Sequence, residues 1–233
     1  MPISFIRTAP LRLLPPLLTV LLLASGCAKQ ERPAPPSRVT ISPEEDIRPE
    51  WRNIARAPDI ARIDALAARW ADAISAIRPG EGMRTLRAAG DLLDPEVALE
   101  RPEPSPGRYE CRVWRLPEGS RAARGFVAYR PFTCYIGVEG PLLLFTKEEG
   151  SERPAGRIWP GDDKHLVFLG AMALGAEKSV PAYGDKDDRN LVGRVERVGA
   201  FRWRIVMPSP VAQSRLDVIE MVPLVAPMSR ANP

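Results

Sequence analysis

Residues 101–225 predict an antiparallel β-barrel or sandwich, and residues 51–100 predict a helical segment packed on it, so the chain reads as mainly β. Three observations lead there. Apolar residues alternate with polar ones through the second half, the pattern of strands with one buried face. Between Asp59 and Ile77 the apolar spacing is instead three and four, the period of a helix. Cysteine usage leaves one pair, Cys111 and Cys134, for a single disulfide.

The N-terminus sets the compartment. Arg7 and Arg12 precede an apolar run from Leu13 to Leu23, then the small residues Ala24, Ser25 and Gly26, then Cys27. A basic head, an apolar centre and a small-residue cleavage region make a secretory signal over residues 1–26. Spanning a bilayer takes about 20 apolar residues, more than this run offers, so no permanent transmembrane helix is expected. The small residues ending in Cys27 resemble the lipobox of bacterial lipoproteins, with Leu23 one position further out than usual. That resemblance implies lipidation of Cys27 and attachment to the membrane through lipid. Ala28, where an Asp would retain the protein at the inner membrane, implies the periplasmic side of the outer membrane.

Residues 27–50 carry Pro33, Pro35, Pro36, Pro43 and Pro49 among charges and read as a tether. At ~3.1 Å per residue for Pro-rich chain, residues 28–50 reach at most about 70 Å. Removing residues 1–26 leaves 207 residues, enough for one good-sized domain, and lowers the charge from +4 to 31 − 29 = +2. Charges of both signs are mixed along the chain, so no nucleic-acid footprint is expected. If lipid consumes Cys27, the two remaining cysteines in an oxidising compartment pair most simply with each other.

Ile60, Ile63, Ala67, Trp70, Ile74 and Ile77 define one amphipathic helix, capped by Asp59 and stopped by Pro79-Gly80. A second helix is expected over Met83–Leu93. Beyond the prolines of 100–107, strands are expected at Tyr109–Leu116, Phe126–Tyr129, Phe132–Val138, Leu142–Thr146, Gly156–Trp159, His165–Met172, Leu191–Val198, Phe201–Met207 and Leu216–Val222. Val198-Gly199-Ala200-Phe201 reads as a tight hairpin and residues 226–233 as a tail. Absence of strand–helix alternation argues against a parallel α/β fold.

Chemistry-bearing motifs are sparse. His165, the one histidine, follows Asp162-Asp163-Lys164, which reads either as a general-base cluster or as a turn before a buried strand. Asp185-Lys186-Asp187-Asp188-Arg189-Asn190 fails as a calcium loop, with Arg189 at the fifth position and Asn190 where glycine is required. Gly150 to Arg157 has five residues between its glycines and then Arg, so it is a turn rather than a phosphate loop. Arg194, Arg197, Arg202 and Arg204 are candidate ligand-facing residues for an anionic ligand, an exposed strand face being the other reading.

Gly107-Arg108-Tyr109-Glu110-Cys111-Arg112, Phe132-Thr133-Cys134-Tyr135-Ile136, Gly150 to Arg157, Tyr183-Gly184-Asp185 with Asp188-Arg189, and Arg202-Trp203-Arg204 before Pro208 resemble the bacterial family named domain of unknown function 4893, over Trp51 to Pro223. That family has no assigned activity, so the resemblance implies no catalytic residue. Gly-x-Tyr-x-Cys opening a barrel is also similar to small periplasmic metalloprotease inhibitors of the lipocalin-like type, whose N-terminal trunk is replaced here by helical residues 51–100. The expectation is a lipid-anchored, non-catalytic barrel without cofactor or metal that binds a small molecule or an envelope protein in its mouth. A structural envelope protein or a protease-inhibitor-like role is the alternative. A hydrolase using Asp162, Asp163 and His165, or the acids of Asp185–Asp188, ranks last.

Overall fold

The computed structural model describes residues 50–77, 80–117, 127–208 and 215–224. The expected leader, Cys27, the expected tether up to Pro49 and the expected tail lie outside the described residues, as do Pro79 and Phe126. No helix among the described residues is long and apolar enough to cross a membrane.

Nine strands follow one another: β1 (Gly107–Pro117), β2 (Val127–Ala128), β3 (Phe132–Glu139), β4 (Leu142–Lys147), β5 (Glu152–Trp159), β6 (His165–Leu174), β7 (Asn190–Gly199), β8 (Arg202–Pro208) and β9 (Arg215–Pro223). Each neighbour pair is antiparallel, and β1 also pairs with β9 from Tyr109↔Pro223 to Pro117↔Arg215, so eight strands close an up-and-down barrel with β2 set beside β1. The barrel, not the sandwich, is the outcome. Closure leaves no long edge exposed to other chains. Cys111 and Cys134 form the disulfide inside it.

Alternation sets the two faces. Tyr109, Cys111, Cys134, Ile136, Phe145, Ile158, Leu166, Phe168, Leu191, Val195, Trp203, Ile205, Met207, Ile219 and Met221 fill the interior as one core. Phe145 meets Phe168 edge-on at 6.0 Å across the waist, and Tyr109 meets Trp203 at 6.1 Å near one end. The large ring of Phe168 fits because Gly156 and Gly170 face each other across β5–β6; a Cβ on Gly170 would lie 2.5 Å from the ring and 2.3 Å from the Ala155 carbonyl oxygen. The expected turn over Gly150–Arg157 is therefore mostly strand: only Gly150 and Ser151 turn, and β5 starts at Glu152.

Among the described residues three α-helices cover the outside of the barrel: α1 (Ala57–Asp64), α2 (Leu66–Ser75) and α3 (Glu81–Ala89). The single helix expected from Asp59 to Ile77 is two, because Ala65 (φ −84°, ψ −2°) turns the chain between them. Asp59 is not the cap. Arg56 holds that place in extended conformation, Pro58 starts the helix with its preset φ, and Asp59 is buried in the first turn. The second expected helix ends at Gly90, whose positive φ of 54° suits a glycine, and continues as a 3-10 turn to Leu93.

Leu66, Trp70, Ala73, Ala89, Leu92 and Leu93 pack on the outer side chains Trp114, Leu116, Val206, Leu216 and Val218 of β1, β8 and β9. Trp51 and Ile63 cover Trp159, Val167, Leu169 and Val192 on β5, β6 and β7. Strand β6 is therefore buried on both faces, which explains the unbroken apolar run Leu166-Val167-Phe168-Leu169. Full burial of each such large side chain contributes ~1.5–3 kcal/mol. With no sheet edge left to cover, the helical stripe lies on the barrel flank.

Candidate functional site at the barrel mouth

The two ends of the barrel differ. At one, tight turns at Gly140-Pro141 and Ala200-Phe201 join strands, and Tyr109 donates its hydroxyl proton to the Ser105 carbonyl at 2.6 Å. At the other, the inward positions change from apolar to charged on four strands, β9, β1, β4 and β5. Val113 is followed inward by Arg115, Phe145 by Lys147, and Ile219 is preceded by Asp217; Glu152 sits on the same face as Ile158. Such charges can stay because the mouth admits water while the waist does not.

A bulge shapes this mouth. From Cys111↔Phe132 to Trp114↔Ala128, β1 advances three residues and its partner four. Pro131, with no N–H to donate, sits where the ladder fails, while the Tyr129 amide still bonds the Val113 carbonyl at 2.9 Å. The disulfide lies just inside, pinning β1 to β3 below the bulge, with a sequence separation of 23. Above it opens a cavity of about 580 Å³ lined by Val113, Arg115, Tyr129, Arg130, Phe132, Lys147 and the stretch Glu149–Glu152. Arg153 faces outward and holds that wall, donating to the carbonyls of Gly150 and Gly175 at 2.7 Å each.

Arg115 organises the charges. Its Nε and Nη2 bond both oxygens of Asp217 at 2.7 and 2.8 Å, Nη2 also reaches Glu152 at 2.9 Å, and Nη1 reaches the Tyr129 hydroxyl at 3.1 Å. Burial opposes the positive charge, but Asp217 and then Glu152 outweigh it and hold the guanidinium above its usual range. Lys147 is different. Its ammonium lies 4.4 Å from the centre of the Phe132 ring, makes no ion pair among the described residues, and is pushed below the ordinary lysine pKa by burial.

The four candidate arginines do not line this cavity. Arg204 is outside the barrel and 0 % exposed: Nε bonds Glu196 at 2.6 Å, and Nη1 bonds the carbonyls of Asp91, Leu92 and Asp94 at 3.0, 2.8 and 2.7 Å. Its guanidinium stacks on Trp70 at 4.3 Å. Arg197 bonds the carbonyls of Glu100 and Arg101, and Arg194 lies 3.9 Å from Glu196. Arg202 pairs with Glu220 at 2.6 Å; it lines a smaller cleft of about 290 Å³ between α3 and the outer face of β1 and β9, where Glu220 also accepts from the Trp114 indole.

His165 belongs to a turn. Its Nδ1 faces the Asp162 oxygens at 2.7 and 2.9 Å, and Asp162 also accepts from the amides of Lys164 and His165. On the other side Nε2 lies 3.5 Å from Glu196 Oε1. Asp162 is 69 % exposed, and no hydroxyl or thiol bonds the ring among the described residues. In the Asp185–Asp188 loop, Arg56 pairs with Asp187 and Asp188 with Arg189, while Asp185 accepts the Ala182 amide. Among the described residues no three His, Cys, Asp or Glu side chains converge as a metal site.

Sequence reasoning missed Arg115, Lys147, Glu152 and Asp217. A signal existed for Arg115, Lys147 and Asp217, each of which continues an apolar alternation by one more step of two at the same barrel end, whereas Glu152 stood in the expected turn. Comparison with curated proteins and with solved structures finds no match. The model of the family described as domain of unknown function (DUF4893) matches residues 51–221, a span that runs from Trp51 through the helices and nearly the whole barrel, so the chain belongs to that family.

Proposed function

We propose that the chain is a lipid-anchored, non-catalytic binding protein of the bacterial cell envelope, tethered through Cys27 to the periplasmic side of the outer membrane. Its barrel mouth takes a small ligand or a short segment of a partner. The observation that carries this reading is the cavity at the bulged end, apolar on one side and charged on the other. The packed waist restricts the occupant to the mouth, since Phe145 and Phe168 fill the space below. Support for a non-catalytic role is the engagement of His165, Asp162 and the Asp185–Asp188 acids in turns and surface pairs.

Native mass spectrometry of the chain purified from envelope membranes tests the binding role. A bound small molecule or peptide is expected in the wild type and is expected to be lost in Val113→Trp, which fills the mouth. An empty wild type, or retention in Val113→Trp, contradicts it. Labelling of cells with a radioactive fatty acid tests the anchor: label on the wild type and none on Cys27→Ser is the expected result.

A further inference from the structure

Of the cations that line the mouth, Arg115 is ion-paired, whereas Lys147 inside and Arg130 at the rim make no ion pair among the described residues. Of the inward-facing charges at this end, Asp217 gives both oxygens to Arg115, and Glu152 also turns to Arg115. Lys147, paired across the ladder with Cys134, stands over Phe132 instead. A ring face under an ammonium is worth ~0.5–2 kcal/mol, less than a desolvated carboxylate partner supplies. Val113 and Phe132 form an apolar wall within the same cavity, and the bulge sets Tyr129 and Arg130 at its rim. The fold fixes this arrangement beforehand. The disulfide ties β1 to β3 below the cavity, and Arg153 clasps the β4–β5 turn to the loop after β6.

We infer that the mouth binds a small monoanion with an apolar body, its charged group on Lys147 and its body against Val113 and Phe132. This rests on the mouth being a ligand site. The cavity of about 580 Å³ fits one drug-sized molecule. Arg115 holds both acids away from Lys147, and the two cations together balance Asp217 and Glu152, so the inward-facing groups present no net negative charge to the anion.

Two fluorescent probes with the same aromatic body separate the possibilities: 1-anilinonaphthalene-8-sulfonate, an anion, and N-phenyl-1-naphthylamine, which is neutral. The wild type is expected to bind the sulfonate about tenfold more tightly, the worth of one charge-assisted contact. Lys147→Gln is expected to bring the two affinities level, and Lys147→Arg to keep the preference, with thermal melting checking that each variant folds. Competition by decanoate against decanol in the unaltered chain gives the same comparison without any substitution. Equal binding of the two probes, or a preference untouched by Lys147→Gln, overturns the anion assignment and leaves the mouth as an apolar site. Failure of both probes to bind, or binding undiminished in Val113→Trp, overturns the ligand site itself.

Discussion

Two arginines of this barrel pair with carboxylates and differ in everything around them. Arg204, on the outer face, is completely enclosed, stacked on Trp70 and bonded to three backbone carbonyls at the end of the helical segment as well as to Glu196. Arg115, inside the mouth, borders an open cavity and leaves Lys147 beside it uncommitted. The first joins two layers through its Nε and Nη1 donors, which is what a structural arginine does with its rigid fork. The second ties up two acids and leaves the neighbouring Lys147 ammonium without an ion pair among the described residues. The same chemistry thus fastens the helices in one place and prepares a site in the other.

Breaking the enclosed pair is expected to have the largest effect. Arg204→Met leaves the Glu196 carboxylate, 1 % exposed, and three carbonyls without their partner, and is expected to cost about 3–5 kcal/mol in urea unfolding. Adding Glu196→Leu to that variant is expected to restore most of the loss, because the cost lies in the stranded charge. Next comes the disulfide. Replacing Cys111 and Cys134 by serine is expected to lower stability by about 3 kcal/mol and to weaken probe binding at the mouth, since the bridge holds the strand pair beneath the bulge.

Arg115→Met is expected to cost less, about 1–2 kcal/mol, because one of its two acids, Glu152, is 41 % exposed and keeps its hydration, Asp217 alone being buried. It is also expected to weaken anion binding by exposing those acids. The smallest effect concerns Asp162. Burial alone would raise its pKa, but the Lys164 amide and His165 outweigh it and hold the carboxyl below its ordinary value of 3.8. The stability it contributes is therefore full above pH 3.8 and is lost as the pH falls through the lower folded value. Asp162→Asn is expected to cost under about 1 kcal/mol at pH 7, with the difference from wild type vanishing in acid.

The sequence made the barrel strands legible because each has a buried inner face with a strict period of two. It also placed the disulfide and the helical segment. The division of that segment at Ala65 was not legible, since alanine favours a helix and the bend follows from wrapping a curved barrel. Asp59 resembled a cap by position, yet it is buried and bonds the Tyr183 hydroxyl and Arg62, partners remote from a cap's role. The arginines of β7 and β8 looked exposed because alternation tells which residues point outward, not what lies over them; the helical layer covers Arg204. The mouth was missed for the opposite reason. Arg115, Lys147 and Asp217 are charged residues at strand ends, and only closure of β1 on β9 brings Arg115 beside Asp217.

Whether the bulged mouth or the outer arginine face receives the ligand can be read from backbone amide shifts in an isotopically labelled chain titrated with decanoate. Shifts concentrated at Val113, Phe132, Lys147 and Glu152, with Arg204 and Glu196 still, are the predicted result. Shifts centred on Arg194, Arg202 and Arg204, with the mouth unmoved, would contradict it.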